Sequence, residues 1–178
     1  MKIVMLNAAT LPVYRDELAC LLIEASRQGV SAGLPCTFEH QEAEDMFHDL
    51  RPALSHNELL LWIARDERGV AGTLLLDLTR SSDTPYQAEV STLLICSRAR
   101  RRGIGRLLLR ESENKAQDLR YSLLSSDMQS GSGAEAFYRA QGYRCAPCQA
   151  GSPGYSRKNE VVYCKKLQPI GCSSLSLF

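Results

Sequence analysis

The beginning of the chain combines a short apolar run with a longer segment of helical periodicity. Residues Lys2–Leu6 have the length and apolar content of a strand. Apolar side chains then recur every three to four residues, so a helix capped by Thr10 is predicted to begin at Leu11 and to end at Gly29. A loop and a second helix are predicted next, over 30–38 and Gln41–Leu50.

The rest of the chain carries mainly strand-like patterns. Runs rich in strand-forming residues predict further strands at Glu58–Ala64, Val70–Leu78, Gln87–Cys96, Tyr121–Ser126 and Val161–Lys165. The polar turn Asp66–Gly69 favours a hairpin between the first two of these runs. Two more helices are predicted, at Ile104–Gln117 and Ala134–Ala140. Strands interleaved with helices predict one mixed α/β domain over 1–167, followed by a loose tail over 168–178.

Composition narrows the class of protein. The chain has 178 residues, of which 44% are hydrophobic and 23% are charged, as expected for one globular core. Lys and Arg number 21 against 20 Asp and Glu, and the net charge of +1 argues against a nucleic-acid coating protein. Because no apolar stretch has the length of a membrane span and no secretory pattern opens the sequence, we expect a cytoplasmic protein without membrane or nucleic-acid partners.

The cysteines and histidines do not predict a metal centre. Seven cysteines without a secretory signal are typical of free thiols in a reducing compartment. Cys145 and Cys148 have the spacing of a redox or half-zinc motif, but no second pair follows. His40, His48 and His56 show no metal-ligand spacing. We therefore expect no metal.

The strongest chemical signal is the turn between the third predicted run and the helix at Ile104. Gly103 and Gly105 allow the backbone to approach a ligand without Cβ clashes. The first helical turn leaves N–H groups without acceptors at the positive end of the helix dipole, which suits a phosphate. Four arginines add positive charge at this turn, namely Arg100, Arg101, Arg102 and Arg106.

Other interpretations of this turn fit less well. A dinucleotide-binding fold requires a third glycine, and position 108 is Leu. A nucleoside-triphosphate loop requires Gly-Lys-Ser/Thr, whereas Gly105 is followed by Arg106-Leu107. A nucleic-acid surface requires charge spread over a face, and a solvated arginine-rich turn does not explain the glycines. A phosphate-binding turn is therefore favoured, and a solvated arginine-rich turn stays open as the alternative.

Two segments together resemble a known superfamily. Arg100–Gly105 is similar to the R-x-x-G-x-G motif with which GNAT N-acetyltransferases bind the pyrophosphate of acyl-coenzyme A. Ala134–Tyr143 is similar to the A-x-x-F-Y-x-x-x-G-Y/F stretch of the same superfamily. Within it, the chain most resembles the tabtoxin-resistance acetyltransferases, at Leu59–Trp62, Ala88–Val90, Asp127, Gly131–Ser132, Ala134–Tyr138 and Val162–Leu167. Arg101 departs from the pattern by replacing a small residue, and Gly131 by replacing a common Asn.

The resemblance implies a fold and a cosubstrate. The fold is a mixed, mostly antiparallel sheet whose central parallel strand pair is splayed to hold acetyl-CoA, with helices on both faces. The cosubstrate acetyl-CoA is implied to bind at the end of the fourth strand and at the turn, through Leu94, Ile95, Arg100, Arg101, Arg102, Gly103, Ile104, Gly105 and Arg106. Tyr138 is implied to be the acid that protonates the leaving thiolate, with Phe137 beside it supplying the apolar face of the helix.

Two carboxylates are candidates for acceptor chemistry. Glu89 lies inside a predicted strand, where Glu is disfavoured, and alternation places it on the face of Ser91 and Leu93. Asp127 follows the next predicted strand, where ligand crevices lie, or serves as a turn former there. Two carboxylates in one cleft raise the pKa of one of them towards that of a useful base.

These residues predict an enzyme. The leading hypothesis is an acetyl-CoA-dependent N-acetyltransferase that confers resistance by modifying the amine of a small antibiotic or toxin, either a tabtoxinine-type β-lactam or a kasugamycin-like aminoglycoside. Acidic residues of the second predicted helix either attract such an amine or form a solvated face, at Glu39, Glu42, Glu44, Asp45 and Asp49. A protein or peptide N-acetyltransferase and a non-catalytic acyl-CoA sensor remain as alternatives, and a homodimer remains open beside a monomer.

Overall fold

A computed structural model describes residues 1–28, 39–79, 85–129, 131–146 and 160–168. Its strands are β1 (Lys2–Leu6), β2 (Leu59–Asp66), β3 (Gly69–Asp77), β4 (Gln87–Ile95), β5 (Leu123–Gln129), β6 (Arg144–Cys145) and β7 (Glu160–Lys166). Its α-helices are α1 (Leu11–Arg27), α2 (His40–His48), α3 (Arg51–Ser55), α4 (Ile104–Asp118) and α5 (Gly133–Ala140). The strands form one sheet in the order β1-β2-β3-β4-β5-β7-β6. Among these helices, none is long and apolar enough to cross a membrane.

The sheet separates at its one parallel pair. All other neighbouring strands are antiparallel, whereas β4 and β5 run parallel and pair only from Gln87 opposite Leu123 to Glu89 opposite Ser125. Beyond these pairs the facing edges of the two strands carry no ladder hydrogen bonds, while β4 stays paired to β3 and β5 to β7. The predicted α/β fold with a splayed parallel pair is therefore confirmed.

A bulge in β4 lies where this separation begins. Leu76 pairs with Val90 and Leu75 pairs with Thr92, so Ser91 has no partner on β3. An extra residue reverses the alternation of side chains between the two faces. Leu93 consequently packs with the core around α4, and the predicted sharing of one face by Glu89 and Leu93 is wrong.

Two hydrophobic cores cover the two faces of the sheet. One core packs α1, α2 and α3 against alternate residues of the sheet, and Leu22, Phe47 and Leu61 are fully buried in it. The other packs α4 and α5 against the opposite face, around Leu76 and Leu108. Helices therefore cover both faces of the sheet in which β4 and β5 separate.

The predicted elements are largely present, with shifted ends. The predicted helix over Gln41–Leu50 is α2 followed by the separate α3, because Pro52 lies in the first turn of a new helix. The strand expected from Tyr121 begins at Leu123, since Tyr121 is buried after α4 and its hydroxyl donates to the Leu78 carbonyl. The short strand β6 was not predicted.

The predicted cap of α1 is wrong. Thr10 is the residue before the helix, but its backbone is helical and its hydroxyl makes no capping bond. The side chain of Asn7 instead accepts from the N–H groups of Ala9 and Thr10, both at 2.9 Å, and the Leu11 N–H donates to the Asn7 carbonyl. The predicted loop over 30–38 lies outside the described residues, as do Cys148 and the tail from 169 onwards.

Candidate active site

The turn between β4 and α4 presents a row of backbone donors. A 3₁₀ turn at Ser97–Ala99 is followed by left-handed backbone at Arg101 (φ 59°) and Gly103 (φ 77°), and α4 begins at Ile104. In the described part of the chain, the backbone N–H groups of residues 101–106 have no acceptor, and the first hydrogen bond of this helix runs from Leu107 to Gly103. This geometry suits a phosphate at the helix N-terminus.

The two glycines of this turn serve different purposes. A Cβ at Gly103 would meet no atom within 4 Å, so the space beside this residue is open. The backbone φ of Gly103 is positive, a conformation that residues with a side chain rarely adopt. A Cβ at Gly105 would lie 3.4 Å from the Phe137 ring and 3.8 Å from Ile95. Gly105 therefore lets α4 approach α5 closely, and a larger side chain there would meet Phe137.

The arginines of the turn divide into two groups. The Arg100 side chain donates to the Gln28 side chain and to the Ile95 carbonyl, so it ties the turn to α1. Within the described ranges, the side chains of Arg101, Arg102 and Arg106 are exposed and have no carboxylate within ion-pair distance. These three arginines are available to an anionic ligand.

The end of α1 is bonded to the same turn. The Glu24 carboxylate accepts from the Ser97 N–H at 2.6 Å and from the Cys96 thiol at 3.2 Å. Burial acts to raise the pKa of Glu24, but these hydrogen bonds outweigh it and lower the pKa below its ordinary value. The ionised carboxylate thus holds α1 against the turn.

Leu94 and Ile95 lie at the separated end of β4. The Leu94 side chain is buried in the core under α1, and Ile95 is half-buried near Gly105. Both remain paired to β3 at Thr73 and Gly72, while their other edge faces the gap towards β5. The backbone of these residues, rather than the Leu94 side chain, is therefore accessible to a ligand in the gap.

Tyr138 lies in α5 and is only 4% exposed. Its ring makes edge-on contacts with Phe137 and Tyr143, at centroid distances of 5.4 Å and 5.1 Å. Burial raises the pKa of Tyr138 to about 12, the Ser126 hydroxyl opposes the shift, and the Glu113 carboxylate adds to it. The phenol is protonated at neutral pH and can act as an acid. Phe137 is the less buried of the two rings, so Tyr138 belongs to the core as well as to the candidate site.

The buried hydroxyl of Tyr143, whose ring contacts Tyr138, was not predicted from the sequence. The hydroxyl of Tyr143 is buried and has no hydrogen-bond partner within the described structure. The nearby Glu113 carboxylate is ion-paired with Lys165, whose Nζ lies 2.8 Å from it and 5.5 Å from the centre of the Tyr143 ring. Burial first, and then the charge of Glu113, raise the pKa of Tyr143. The motif identified Tyr143 only as an aromatic position.

Three carboxylates share one face of the sheet at the residues where β4 and β5 begin to separate. Asp77 is the register partner of Glu89 on β3, and Asp127 lies two residues beyond Ser125, the partner of Glu89 on β5. Although Glu89 is exposed as a whole, loss of hydration at its carboxyl group raises its pKa, and the charges of Asp127 and Asp77 raise it further. The structure therefore brings Glu89 and Asp127 together and adds Asp77, which only the strand register could have revealed.

The acid and the carboxylates approach the gap from opposite faces of the sheet. The apolar residues that flank Glu89 and Asp127 belong to the core around α4, namely Ala88, Val90 and Met128, so the two carboxylates point to the face that carries α1 and α2. Tyr138 lies on the α4–α5 side, beside Ser126. Ser126 donates to the Val90 carbonyl at 3.0 Å, immediately after the last paired residues of β4 and β5. All of these groups meet where the strands separate.

The acidic residues of α2 have mainly structural partners. Glu39 and Glu42 form a capping box at the start of α2, and Asp45 accepts from the Gln41 side chain. Glu44 pairs with Arg15 at 3.1 Å.

Gly131, which departs from the common Asn, occupies left-handed backbone, and its N–H donates to Glu135 at 2.6 Å, beside the Ser132 cap of α5. Neither this segment nor the acidic group of α2 by itself marks an acceptor site.

A splayed parallel strand pair next to a glycine turn with N–H groups that lack acceptors is typical of an acyl-coenzyme A-dependent transferase fold. A model of the Acetyltransferase (GNAT) family matches residues 27–143, and the chain belongs to this family. The family uses acetyl-CoA, and this turn fits it: the space beside Gly103 is open, six successive N–H groups lack acceptors, and three arginines are unpaired within the described residues.

Solved structures show the same fold at low sequence identity. A ribosomal-protein-alanine N-acetyltransferase from Brucella melitensis is 20% identical, with a TM-score of 0.70 over 94% of this chain and 100% of that one. An acetyltransferase from Acinetobacter baylyi is 15% identical, with a TM-score of 0.73 over 93% and 92%. The PaiA N-acetyltransferase of Thermoplasma acidophilum, solved with coenzyme A, is 15% identical, with a TM-score of 0.63 over 93% and 99%.

Proposed function

We propose that this acetyltransferase transfers the acetyl group of acetyl-CoA to the amine of a small cationic or zwitterionic molecule, and that it inactivates an antibiotic or toxin. The observation that carries the proposal is the group of three carboxylates, Asp77, Glu89 and Asp127, on one face of the sheet where β4 and β5 begin to separate. A site of this charge favours an amine-bearing acceptor over an acidic one.

Glu89 is the proposed base. An amine attacks only in its neutral form, so a group near the acceptor has to take up a proton. The raised pKa of Glu89 improves its match to this task, and its position at the last pair of β4 and β5 faces the gap. The charges of Asp127 and Asp77 then raise the pKa of this base further and attract the acceptor.

Tyr138 is the proposed acid. When acetyl-CoA is bound, it supplies an activated thioester whose sulfur leaves with the electrons of the broken bond. The protonated phenol of Tyr138, which approaches the gap from the other face, would return a proton to that sulfur. The donor row from Arg101 to Arg106 and the exposed arginines would hold the pyrophosphate.

The proposed acceptor class is tested with matched substrates. Purified protein would be incubated with acetyl-CoA and each of four acceptors: kasugamycin, a tabtoxinine-type β-lactam amino acid, a neutral small amine and an acidic peptide. Acetylated products would be identified by mass spectrometry. We expect turnover of kasugamycin or of the tabtoxinine-type amino acid to exceed that of the other two. Turnover confined to the acidic peptide would contradict the proposal.

Two additional assays distinguish the proposed function from a peptide N-acetyltransferase and from a non-catalytic sensor. A peptide with an amino-terminal alanine tests a ribosomal-protein-like activity, because two similar structures are ribosomal-protein-alanine N-acetyltransferases. Preference for this peptide over every small amine would replace the proposed acceptor class. A calorimetric titration with coenzyme A tests binding alone, and binding without turnover of any acceptor would favour the sensor hypothesis.

A further inference from the structure

The surface between α1 and α2 gathers side chains that the catalytic proposal does not use. Asp16 and Cys20 are four residues apart on α1, and His40 and Glu44 are four residues apart on α2. Residues at this spacing lie on one face of a helix. The two helices pack against each other in the same core, so both faces meet.

Their potential ligand atoms already lie close together. Atoms of Asp16, Cys20 and His40 are all within 4.8 Å of one another. The His40 Nε2 atom is 2.9 Å from Asp16 Oδ1 and 3.8 Å from Glu44 Oε1. Ligand atoms around a tetrahedral zinc ion are about 3.3–3.8 Å apart, given bonds of about 2.0–2.3 Å. The atoms of Asp16, Cys20 and His40 need to shift by about 1 Å to reach that spacing. Glu44 lies outside this group of three and would have to turn its carboxylate from Arg15 towards the ion.

The donor set is suited to zinc rather than to harder cations. A thiolate, an imidazole and carboxylate oxygens are the groups that bind Zn²⁺ in proteins, whereas Ca²⁺ and Mg²⁺ prefer oxygen ligands alone. Glu44 uses Oε2 for its contact with Arg15, and Oε1 remains on the side of His40. Asp16, Cys20 and His40 are exposed, so an ion would have a path of entry.

The local charge also favours a cation. The carboxylates of Asp16, Glu17 and Glu44 all lie close enough to Cys20 to place it in a negative electrostatic environment. Arg15 is paired with Glu44, and it is the one cation bonded to this group in the described structure. A divalent cation would offset the excess negative charge and would displace the thiol proton to solvent.

We propose that Asp16, Cys20, His40 and Glu44 form a zinc-binding site that joins α2 to α1. No pattern in the sequence predicted this site, because each helix contributes only two ligands and the two pairs lie far apart along the chain. In the bound state the Cys20 sulfur donates an electron pair to the ion, and its proton passes to the buffer. The ion would then cross-link the two helices that cover the face carrying Glu89.

Cobalt and zinc titrations of the full-length reduced protein test the proposal. Co²⁺ bound to a thiolate in a tetrahedral site gives a near-ultraviolet charge-transfer band and intense visible bands, and Zn²⁺ should displace it at one ion per chain. Cys20→Ser should remove the charge-transfer band. His40→Ala should weaken Zn²⁺ binding about a hundredfold, because loss of a direct ligand should cost no less than loss of a residue that only hydrogen-bonds to a ligand. Saturating Zn²⁺ should raise the Tm of the wild type by about 5–10 °C.

Matched variants control for the other thiols and imidazoles. Cys145→Ser changes another exposed cysteine, and His48→Ala changes another exposed histidine of α2. Both should bind Zn²⁺ and Co²⁺ like the wild type. The proposal is overturned if the wild type does not bind Zn²⁺, if Cys20→Ser and His40→Ala bind it as tightly as the wild type, or if the charge-transfer band disappears in Cys145→Ser instead.

Discussion

At the scale of single residues, Tyr138 is a buried phenol that we propose as the acid of the reaction. Its pKa of about 12 keeps the phenol protonated across the neutral range, so its ability to act as an acid should not limit the rate until the pH rises above about 10. Tyr138→Phe keeps the ring contacts and removes this proton. We expect kcat to fall about a hundredfold, measured by steady-state kinetics at saturating acetyl-CoA.

Tyr143→Phe is the matched control for this variant. It removes the neighbouring buried hydroxyl beside Glu113 and keeps the ring contacts, so we expect a free energy of unfolding within about 1 kcal/mol of the wild-type value and kcat close to the wild type. Unchanged kcat in Tyr138→Phe, under conditions where chemistry limits the rate, would return Tyr138 to a purely structural role.

The acidic limb of the pH–rate profile reports on Glu89. A base with a raised pKa is inactive when protonated, so kcat should rise with pH as Glu89 ionises. Asp127→Asn removes a negative charge that raises this pKa, and the limb should therefore move to lower pH. Asp77→Asn should move it in the same direction by less, because its contribution is the smaller one.

Glu89→Gln tests whether the titration of Glu89 causes the acidic limb of the pH–rate profile. It should abolish the limb and depress kcat, while the Kd of coenzyme A stays within about threefold of the wild-type value. If the limb keeps its position in both Asp127→Asn and Glu89→Gln, it reports on the acceptor amine and Glu89 is not the base.

At the scale of elements, the turn and α4 form the unit that we propose binds coenzyme A. Gly105→Glu adds a side chain that begins 3.4 Å from the Phe137 ring, and it brings a negative charge to the row of N–H donors that includes Gly105. We expect coenzyme A binding to weaken by about 3 kcal/mol, the scale of an unpaired buried charge. Calorimetry would measure it, with Asn114→Glu on the exposed surface of the same helix as the control. Equal affinity in both folded variants would show that the pyrophosphate binds elsewhere.

Elements with strong local signals were predictable from sequence, and those that depend on packing were not. The glycines after β4 and the apolar period of α4 located that unit to within a residue, because turn chemistry and periodicity are local. The bulge at Ser91 depends on how β4 pairs with β3, so alternation along β4 alone misplaced Leu93. Asp77 and the cluster around Cys20 likewise arise from contacts between distant segments.

At the scale of the whole molecule, the sheet consists of two halves that meet at three residue pairs. One half contains β1 to β4 and the other contains β5, β7 and β6. Amide groups on the facing edges beyond Glu89 and Ser125 have no ladder partner, so they should exchange hydrogen quickly. Bound coenzyme A should slow exchange at 90–95 and 126–129, measured by mass spectrometry. Protection confined to helix α1 would contradict binding in the gap.

The bonds from α1 to the coenzyme turn have a kinetic consequence. Glu24 and Gln28 at the end of α1 hold Ser97 and Arg100, and the same helix covers the sheet face that carries Glu89. A ligand that orders the turn therefore also holds α1, the helix beside which the acceptor would have to bind. Acetyl-CoA should add before the acceptor and coenzyme A should leave last. Product inhibition by coenzyme A would then be competitive with acetyl-CoA and noncompetitive with the amine.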